Sequence, residues 1–590
     1  MEAMKRTDDC GSLRKKDAGR LVILNGWVHR KRNHGRVFFI NLRDRYGITQ
    51  ITVDTEANAQ LSGICDELRN EYCIAVEGKV SSRPDDMVNP SMDTGEIEIA
   101  ASNIVVLNKC EVLPFQIEEE SKANEDLRLK YRYLDLRSSG MQNRIRLRSE
   151  TTFAVREWMT SNGFYEIETP TFIKSTPEGA RDYLVPSRLY PGKFYALPQS
   201  PQIYKQLLMV SGFDKYFQIA RCYRDEDSRG DRQPEFTQID IEMSFAGREE
   251  VLCMTEGLMR HVFKKVLKIE LPEKFRRLTW EEAMESYGSD KPDLRFDMRL
   301  QDFSPYAQAG SFQGLKDVLA AGGAVKAIVV KGMADYSRKQ IEELESHAKI
   351  YKVKGMAWMK AAAGGVPEGG ASKFFADNAR QITDGLGAAE GDLILIIADA
   401  NRKIANTALG AVRSKLGRDL GFCDPAKFEF VWIVDFPMFE YNEDEKKWEA
   451  AHHLFTWPQE KYHATMESDP GSVKGDLYDL VLNGSELASG SIRIHDPAMQ
   501  KKVFQIAGID PAQAEKKFGF LTEAFKYGAP PHGGIAPGLD RLVMIMAGLT
   551  SIKDVIAFPK NSFAVSPMDD CPSEVDLKQL DELRITIHGE

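Results

Sequence analysis

The chain has 590 residues, of which 43% are hydrophobic and 28% are charged, and its formal net charge is −10. That composition is ordinary for a globular protein, and the length exceeds what one hydrophobic core can hold, so we expect several domains. The acidic total argues against a general affinity for nucleic acid, but locally clustered basic residues can still bind RNA.

The sequence carries no sign of a membrane or secretory protein. No apolar run approaches the roughly 20 residues needed to cross a bilayer, and the start of the chain lacks an apolar signal segment. The eight cysteines are scattered without a Cys-x-x-Cys, which indicates neither a zinc site nor a disulfide framework. We therefore expect a cytoplasmic protein with no membrane partner.

Residues 1–112 combine five short segments of strand character with one helical segment at 57–70. This combination is typical of a small, partly open barrel such as an OB-fold. A basic run at 29–34 precedes Phe38 and Phe39, and because side chains alternate along a strand, one ring should face outward. A basic groove beside an exposed ring is how such barrels hold single-stranded nucleic acid, although both rings could belong to the core. The predicted strands are 21–30, 36–43, 48–53, 74–81 and 96–99.

Residues 113–140 contain a proline and an acidic run, which indicate a hinge between domains. A helix is predicted at 143–162 from an apolar stripe at helical spacing, and Gly163 is placed to end it. A short strand at 164–168 then stops at Pro170. An ordinary buried amphipathic helix fits this pattern as well as an interface helix does.

Residues 217–245 form the most informative stretch, in which two strand-like segments flank a loop rich in both signs of charge. In the second segment Gln238, Asp240 and Glu242 alternate with apolar residues, and a sheet face of this kind is costly to bury unless it meets a cationic or polar ligand. Arginine can grip phosphate and an aromatic ring can stack on a base, but spacing alone leaves a solvated hairpin tip equally open. The loop residues of interest are Arg224, Glu226, Arg232, Gln233 and Phe236.

Residues 289–421 have a pattern of their own. Buried strands are predicted at 327–330 and 393–397, and a capping-box helix at 338–347. The segment is long enough for its own core, so we expect an inserted α+β domain. A nearby helix carries basic residues that we interpret as a solvated face rather than a contact with RNA. These residues are Lys403, Arg413, Lys415 and Arg418.

Three features precede a polar extension at 561–590. A loop carries the pair His452 and His453. Asp479 and Glu486, on a strand predicted at 476–486, offer the hard oxygen ligands that Mg²⁺ prefers, unless they are a solvated pair at a sheet edge. A glycine-rich stretch at 528–542 leads into an apolar helix predicted at 542–548, and a helix start offers free amide donors to anions.

Residues 217–245 resemble motif 2 of the class II aminoacyl-tRNA synthetases, in the form carried by the aspartyl enzymes, and the likeness runs from Gly26 to Lys560. The helix, strand and proline before residue 171 resemble motif 1, which builds the homodimer interface in the family, and the glycine-rich stretch resembles motif 3. The resemblance implies an α+β multidomain protein with an N-terminal OB-fold barrel, an antiparallel-sheet catalytic core and an inserted α+β domain. The implied boundaries are 1–112 for anticodon binding, 113–140 for the hinge, 141–288 and 422–560 for the core, 289–421 for the insertion and 561–590 for the extension.

The resemblance implies a two-step reaction. Aspartate and ATP form aspartyl-adenylate, and a tRNA ribose hydroxyl then takes the aspartyl group, so catalysis is positioning plus charge stabilisation. Arg224 and Arg541 would be the catalytic residues: Arg224 would bridge the α-phosphate and the attacking carboxylate, while Arg541 would pack on the adenine opposite Phe236 and reach the γ-phosphate. Mg²⁺ would bind Asp479 and Glu486. The implied ATP-binding residues are Arg224, Asp225, Glu226, Gln233, Phe236, Glu486, Gly538, Leu539, Asp540 and Arg541.

The implied amino-acid pocket is cationic. Arg493 would grip the side-chain carboxylate and Lys205 would add a second positive charge, which favours aspartate because an amide would leave the guanidinium poorly paired. His452 would close over the amino acid, on a loop where the family usually has proline in place of Leu454. The implied aspartate-binding residues are Glu178, Gln202, Lys205, Arg224, Gln238, Asp240, His452, His453 and Arg493.

The implied anticodon residues lie on the N-terminal barrel. Enzymes that also charge the asparagine tRNA tend to have histidine just before the glycine of this loop, so His34 favours an enzyme acting on both tRNA(Asp) and tRNA(Asn). Asp86 lies where a second determinant falls and does not settle the matter. The full set is Arg32, His34, Phe39, Gln50 and Glu98.

Three alternatives stay open. The first is an aspartyl enzyme strictly specific for tRNA(Asp). The second is an asparaginyl or lysyl enzyme, which Arg493, Lys205 and the long insertion argue against. The third is a synthetase-like RNA binder without catalysis, which the presence of Arg224 and Arg541 argues against.

Overall fold

The computed structural model describes residues 5–176, 180–226 and 230–588. The chain divides into two compact units, Met1–Ile145 with Ser566–Cys571 and Arg146–Val565 with Pro572–Glu590. The predicted finer domain boundaries stay predictions. No helix in the described part of the chain has both the length and the apolar character needed to cross a bilayer.

The first unit contains a closed five-stranded barrel with one helix, so the predicted OB-fold is confirmed. The strands pair in the order β1-β2-β3-β5-β4, and β3 and β5 run parallel. Its elements are β1 (Leu21–Asn33), β2 (Val37–Arg43), β3 (Ile48–Asp54), α1 (Ala59–Glu67), β4 (Cys73–Ser82) and β5 (Ile97–Asn108).

Alternating burial explains the barrel. Val22 and Leu24 of β1 point into the core, as do Phe38 and Ile40 of β2, while Phe39 is half-exposed, which confirms that only one of the two rings faces inward. Strand β5 extends well beyond its predicted end at residue 99. Its second half exposes most of its side chains, so it lacks the alternation by which a strand is recognised.

The chain then forms three helices, three short strands, one helix, two longer strands and a further helix. Helix α4 buries Ala154, Val155 and Met159 and ends before Gly163, which adopts φ +81°, as its predicted stop requires. These elements are α2 (Glu125–Lys130), α3 (Arg132–Asp135), α4 (Ser139–Ser161), β6 (Tyr165–Glu166), β7 (Leu184–Pro186), β8 (Phe194–Ala196), α5 (Gln202–Val210), β9 (Lys215–Tyr223), β10 (Glu235–Ser244) and α6 (Arg248–Val262).

The predicted insertion is a five-stranded sheet with helices on both faces. One apolar cluster joins alternate strand residues to α10 and α12, and a second joins the intervening residues to α8, α9 and α11. The elements from the preceding core strand onward are β11 (Arg276–Thr279), α7 (Trp280–Tyr287), β12 (Gln301–Asp302), α8 (Ser304–Ala309), α9 (Gln313–Ala320), β13 (Ala324–Val330), α10 (Arg338–Lys349), β14 (Ala357–Ala361), β15 (Pro367–Glu368), α11 (Ala379–Leu386), β16 (Leu393–Asp399) and α12 (Arg402–Asp419).

The interpretation of α12 as a uniformly solvated basic face is wrong at one residue. Arg413 is fully buried and donates to the backbone carbonyls of Asp293, Phe296 and Met298. Its guanidinium also lies 4.1 Å from the Phe296 ring centroid. An aromatic and carbonyl cage satisfies the charge internally, which composition alone does not reveal.

The remaining elements complete the catalytic sheet. The strand predicted at 476–486 is wrong: the chain turns at Asn483 and Gly484, both at positive φ, and forms the hairpin β20–β21. The elements are β17 (Phe430–Val434), β18 (Phe439–Asn442), β19 (Lys447–Ala450), β20 (Leu477–Leu482), β21 (Ser485–Ile492), α13 (Pro497–Ile506), α14 (Pro511–Phe525), β22 (His532–Pro537), α15 (Leu539–Met546) and α16 (Leu577–Leu583).

An eight-stranded sheet organises the second unit, in the order β11-β17-β20-β21-β22-β10-β9-β6. Only the two end pairs are parallel, so the predicted antiparallel catalytic core is confirmed. Its main apolar cluster lies against α4, α6 and α15. Strand β10, which carries the polar face, lies inside the sheet between β9 and β22.

Candidate functional site

The polar face of β10 is buried against two cations. Asp240 and Glu242 are fully buried on the side opposite Ile239, and Lys205 from α5 lies 2.7 Å from Asp240 and 3.3 Å from Glu242. Arg493 donates to Glu242 through Nε at 2.9 Å and Nη2 at 3.2 Å. The alternating pattern predicted that these carboxylates would need cationic or polar partners when buried, and the protein itself supplies them as Lys205 and Arg493.

The charges of this buried quartet (Lys205, Asp240, Glu242 and Arg493) balance. Burial alone would raise the pKa of Glu242, but Arg493 and Lys205 outweigh burial and hold that pKa below its ordinary value. Burial raises the pKa of Asp240, and the Lys205 ammonium opposes the rise. An added carboxylate would find two cations here that the protein already holds in place.

Arg493 is only 2% exposed, and its guanidinium is fixed on every side. Its Nη1 donates to the Ser491 hydroxyl at 2.7 Å and lies 2.9 Å from Nε2 of His453. Burial and the Arg493 charge hold the pKa of His453 well below its ordinary value, so this ring is neutral. His452 is instead exposed and meets the Phe436 ring edge-on at 5.0 Å. Of the two predicted histidines, the structure brings only His453 to Arg493.

Amide groups complete the wall of the pocket. Gln202 donates to Gln206 at 3.2 Å, and Gln206 in turn lies 3.2 Å from Nε2 of the buried His532. The Gln238 side-chain oxygen accepts a hydrogen bond from the Cys222 thiol at 3.3 Å. Sequence reasoning did not assign Gln206 or His532, although His532 lies within the glycine-rich stretch at 528–542. The predicted Glu178 lies outside the described residues.

The two predicted catalytic arginines are held differently. Arg224 lies with its guanidinium carbon 5.0 Å from the Phe236 ring centroid, and its Nε is buried without a hydrogen-bond partner among the described residues. The Arg224 guanidinium therefore already covers the Phe236 ring, whereas the adenine prediction assumed that the ring is open. Arg541 donates to the Glu486 carbonyl and lies 3.3 Å from the Asp231 carboxylate.

Other predicted nucleotide residues are engaged by the protein. Both amide atoms of Gln233 bind the backbone of Lys560, at 3.0 and 2.8 Å. Asp225 pairs with Arg181 at 3.5 Å, and the Glu226 carboxylate accepts from Arg232. These contacts fix the loop between β9 and β10 at both of its ends.

At the start of α15 only one predicted side chain reaches solvent. Leu539 packs in the core, and Asp540 is 3% exposed and accepts from the Thr237 amide at 2.6 Å. Gly538 has no side chain, and its amide donates to the Leu487 carbonyl. Successive helix residues point about 100° apart, so Arg541 faces outward while its neighbours face the core.

Asp479 and Glu486 lie on the two strands of the β20–β21 hairpin. Burial, and then the negative charge of Glu486, raise the pKa of Asp479 well above its ordinary value, and its Oδ1 has no hydrogen-bond partner within the described ranges. No cluster of three or more histidine, cysteine, aspartate or glutamate side chains suited to a metal occurs in the described residues. Two mutually repelling carboxylates, one with an unsatisfied buried oxygen, fit a hard cation such as Mg²⁺ that keeps other ligands.

The barrel presents a separate polar face. Arg32 lies directly across from Phe39 in the β1–β2 pair, and the His34 ring meets Phe39 edge-on at 5.5 Å. Gln50 donates to Glu98 at 3.0 Å. The structure therefore brings the predicted anticodon residues together on one side of the barrel.

Two further residues adjoin this face. Asp86 lies in an exposed turn, Asp85–Met87. Arg83 is buried 3.8 Å from Glu98, and its Nη2 lacks a hydrogen-bond partner among the described residues. Sequence reasoning did not assign Arg83, because a single arginine gives no sign of its burial.

Comparison with known families decides the assignment. Residues 124–562 match the family of "tRNA synthetases class II (D, K and N)", and residues 22–107 match the "OB-fold nucleic acid binding domain". The chain belongs to the class II aminoacyl-tRNA synthetases. The predicted family is thereby confirmed, and the quartet and the two arginines lie within the matched region of this synthetase.

Two curated relatives match along the whole synthetase. The "Aspartate--tRNA(Asp/Asn) ligase" of Treponema denticola is 69% identical over 589 residues, covering 100% of both chains. The "Aspartate--tRNA ligase" of Macrococcus caseolyticus is 50% identical over 587 residues, covering 99% of both.

The fold of the synthetase recurs in solved structures. Asparaginyl-tRNA synthetase from Pyrococcus horikoshii, complexed with asparaginyl-adenylate, superposes with a TM-score of 0.60 at 18% identity. The match covers 94% of this chain and 98% of that one. At this identity the likeness concerns the fold alone.

Proposed function

We propose that this synthetase attaches L-aspartate to tRNA(Asp) through an aspartyl-adenylate formed from ATP, and that it also attaches aspartate to tRNA(Asn). The observation that carries the amino-acid assignment is the buried quartet, in which Arg493 and Lys205 are held rigidly by Glu242 and Asp240. The names of full-length relatives point to the same amino acid.

Aspartate is selected by charge at this quartet. Its side-chain carboxylate binds the ammonium of Lys205 and Nη1 of Arg493, where it takes the place of the neutral His453 ring, since Glu242 already holds Nε and Nη2. Asparagine has nearly the same shape but carries no charge, so it would gain less from the two cations, and its amide N–H groups would face the donors of Arg493 and Lys205. The neutral His453 beside Arg493 adds no competing charge.

Arg224 and Arg541 flank the nucleotide. Arg224 moves from the Phe236 ring to the α-phosphate and the attacking carboxylate, and the vacated ring face receives the adenine. Arg541 holds the other end of the nucleotide from its position beside the β20–β21 hairpin. Asp479 and Glu486 would hold Mg²⁺, which supplies neutralisation of the phosphate charge when bound.

The barrel face reads the anticodon through Phe39 and its polar neighbours, and His34 allows both tRNAs to bind. Binding rests on stacking, about 1–3 kcal/mol per base, and on contacts from Arg32, Gln50 and Glu98. We further propose a homodimer through α4 and the strand that follows it. Phe153 and Tyr165 are exposed there, and a second copy would cover them.

Side-by-side assays test this proposal. Purified protein should support ATP–pyrophosphate exchange with aspartate and not with asparagine, and should load aspartate onto both purified tRNA(Asp) and tRNA(Asn). Exchange with asparagine would refute the charge-selection argument. Loading of tRNA(Asp) alone would refute the dual specificity and leave the rest standing, and His34→Leu, which should reduce loading of tRNA(Asn) selectively, is the matched variant.

A further inference from the structure

Helix α4 sends one arginine into the space between strand β10 and helix α15. The Arg148 guanidinium donates through Nη1 to Oδ1 of Asp540 at 2.5 Å and through Nη2 to the Thr237 hydroxyl at 3.1 Å. The second oxygen of Asp540 accepts from the Thr237 amide at 2.6 Å. Three residues from three separate elements therefore close one ring of charged hydrogen bonds.

Two members of the ring are sequence neighbours of residues that we assign to the nucleotide. Asp540 immediately precedes Arg541, and Thr237 immediately follows Phe236. Both oxygens of Asp540 are already engaged, one by Arg148 and the other by the Thr237 amide, so the ring acts on the nucleotide through its sequence neighbours. These hydrogen bonds fix the distance between β10, which carries Phe236, and α15, which carries Arg541.

The ring has little redundancy. Nη1 of Arg148 also reaches the Val555 carbonyl, but only at 3.4 Å, and Asp540 has one other described partner, the Thr237 amide. Arg221 also donates to the Thr237 hydroxyl at 3.4 Å, but Arg148 is the cation that binds the Asp540 carboxylate directly. Removal of Arg148 leaves this buried carboxylate with only a more distant positive charge, and the helix must shift or rotate to hydrate it. A displacement of about 1 Å at a reacting group can cost about a hundredfold in rate.

We propose that Arg148 is a positioning residue for ATP, acting through Asp540 and Thr237 on Arg541 and Phe236. The inference rests on the proposed function, since it assigns ATP to these two residues. Arg148 makes no contact with the amino-acid quartet in any recorded hydrogen bond or ion pair of the described residues. Its loss should consequently act on ATP and spare aspartate.

The test compares Arg148→Ala and Arg148→Lys with the matched control Arg146→Ala. Arg146 lies two residues earlier on α4 with a 69% exposed side chain and makes only a 3.9 Å ion pair with Glu150. In ATP–pyrophosphate exchange, Arg148→Ala should raise the KM for ATP at least about tenfold and change the KM for aspartate by less than about twofold. Arg148→Lys should recover part of the loss, and Arg146→Ala should behave as wild type.

A second pair of measurements separates positioning from mere stability. Asp540→Asn should reproduce the ATP defect, and the double variant should be no worse than Arg148→Ala alone, because the two residues act as one unit. A lower melting temperature with an unchanged KM for ATP in Arg148→Ala, or equal rises in the KM for ATP and the KM for aspartate, overturns the proposal. Calorimetric ATP binding to the same variants gives the answer without any turnover: unchanged affinity overturns the positioning role, whereas failure of wild type to exchange with aspartate overturns only the proposed function.

Discussion

The amino-acid pocket and the barrel face recognise their proposed ligands in opposite ways. In the pocket Arg493 and Lys205 are each 2% exposed and bound to buried carboxylates. On the barrel Arg32 and His34 are exposed, and Phe39 is only half-buried. Under the proposed function, aspartate would meet charges that need no reorganisation, whereas an RNA loop would meet side chains that can adjust to it.

The largest expected effect comes from the pocket. Arg493→Met should abolish detectable exchange and destabilise the protein by about 3–5 kcal/mol, because Glu242 loses its main counterion in a fully buried position. Urea unfolding and ATP–pyrophosphate exchange measure the two effects.

The double variant Arg493→Met with Glu242→Gln is the control for that result. Removing both charges should restore much of the stability without restoring exchange, since no guanidinium remains for the substrate carboxylate. If the double variant activates aspartate at near wild-type rate, rigid charge is not what the pocket uses.

The next effect concerns Arg224, whose guanidinium contacts the Phe236 ring. Arg224→Ala should lower the exchange rate by about a hundredfold to a thousandfold while leaving the unfolding midpoint unchanged, because Arg224 makes no ion pair in the described structure. Arg232→Ala, in the same loop and paired with Glu226, is the matched control and should retain exchange. Exchange retained in Arg224→Ala would remove this residue from the reaction.

A smaller effect is expected on the barrel. Phe39→Ala should raise the KM for tRNA by about 5- to 100-fold, the equivalent of one lost stacking contact, and leave aspartate-dependent exchange untouched. Tyr46→Ala, which removes a 49% exposed ring elsewhere on the barrel, should leave the tRNA KM unaltered. A drop in exchange for Phe39→Ala would show that the barrel and the catalytic core are not separable.

The smallest effect is a pH dependence of the pocket. The folded-state pKa of His453 lies well below its ordinary value, so below about pH 6.5 the unfolded chain binds a proton that the folded protein does not, and stability falls as pH falls. Between pH 7.5 and 5.5 this group should cost about 1.4 kcal/mol.

Denaturant unfolding at the two pH values checks that expectation. His453→Gln should show a smaller acid-induced loss of stability than wild type, whereas His34→Gln on the exposed barrel face should match wild type. An unchanged loss in His453→Gln would mean that this ring is not held neutral.

Much of this structure follows from periodicity and local motifs. Short strand-like segments between turn residues predicted the barrel strands, alternation of polar and apolar residues predicted β10, and Gly163 predicted the end of α4. The β20–β21 hairpin was missed because β20 is buried along its whole length and gives no alternation, although Asn483 and Gly484 form the commonest two-residue hairpin signal.

Partners distant in the chain could not be predicted from one sequence. Arg148 and Asp540 are separated by 392 positions, and resemblance alone placed Asp540 at the nucleotide when its side chain points into the protein. The quartet shows the same limit: alternation indicated that Asp240 and Glu242 needed cations, but Glu242 was not assigned to the site. Pairing across elements depends on tertiary packing, which local pattern does not contain.

The cage around Arg413 has a consequence for anyone who wishes to excise the inserted segment. Its guanidinium on α12 binds three carbonyls in the stretch that enters the segment, at 2.6, 2.8 and 2.9 Å. A deletion that removes α12 strips these carbonyls of their donor, whereas one that begins after Met298 and resumes before Arg413 keeps entrance and exit fastened together. A short replacement loop should therefore connect a position after Met298 to a position before Arg413, so that the hydrogen bonds between the two ends of the segment are kept.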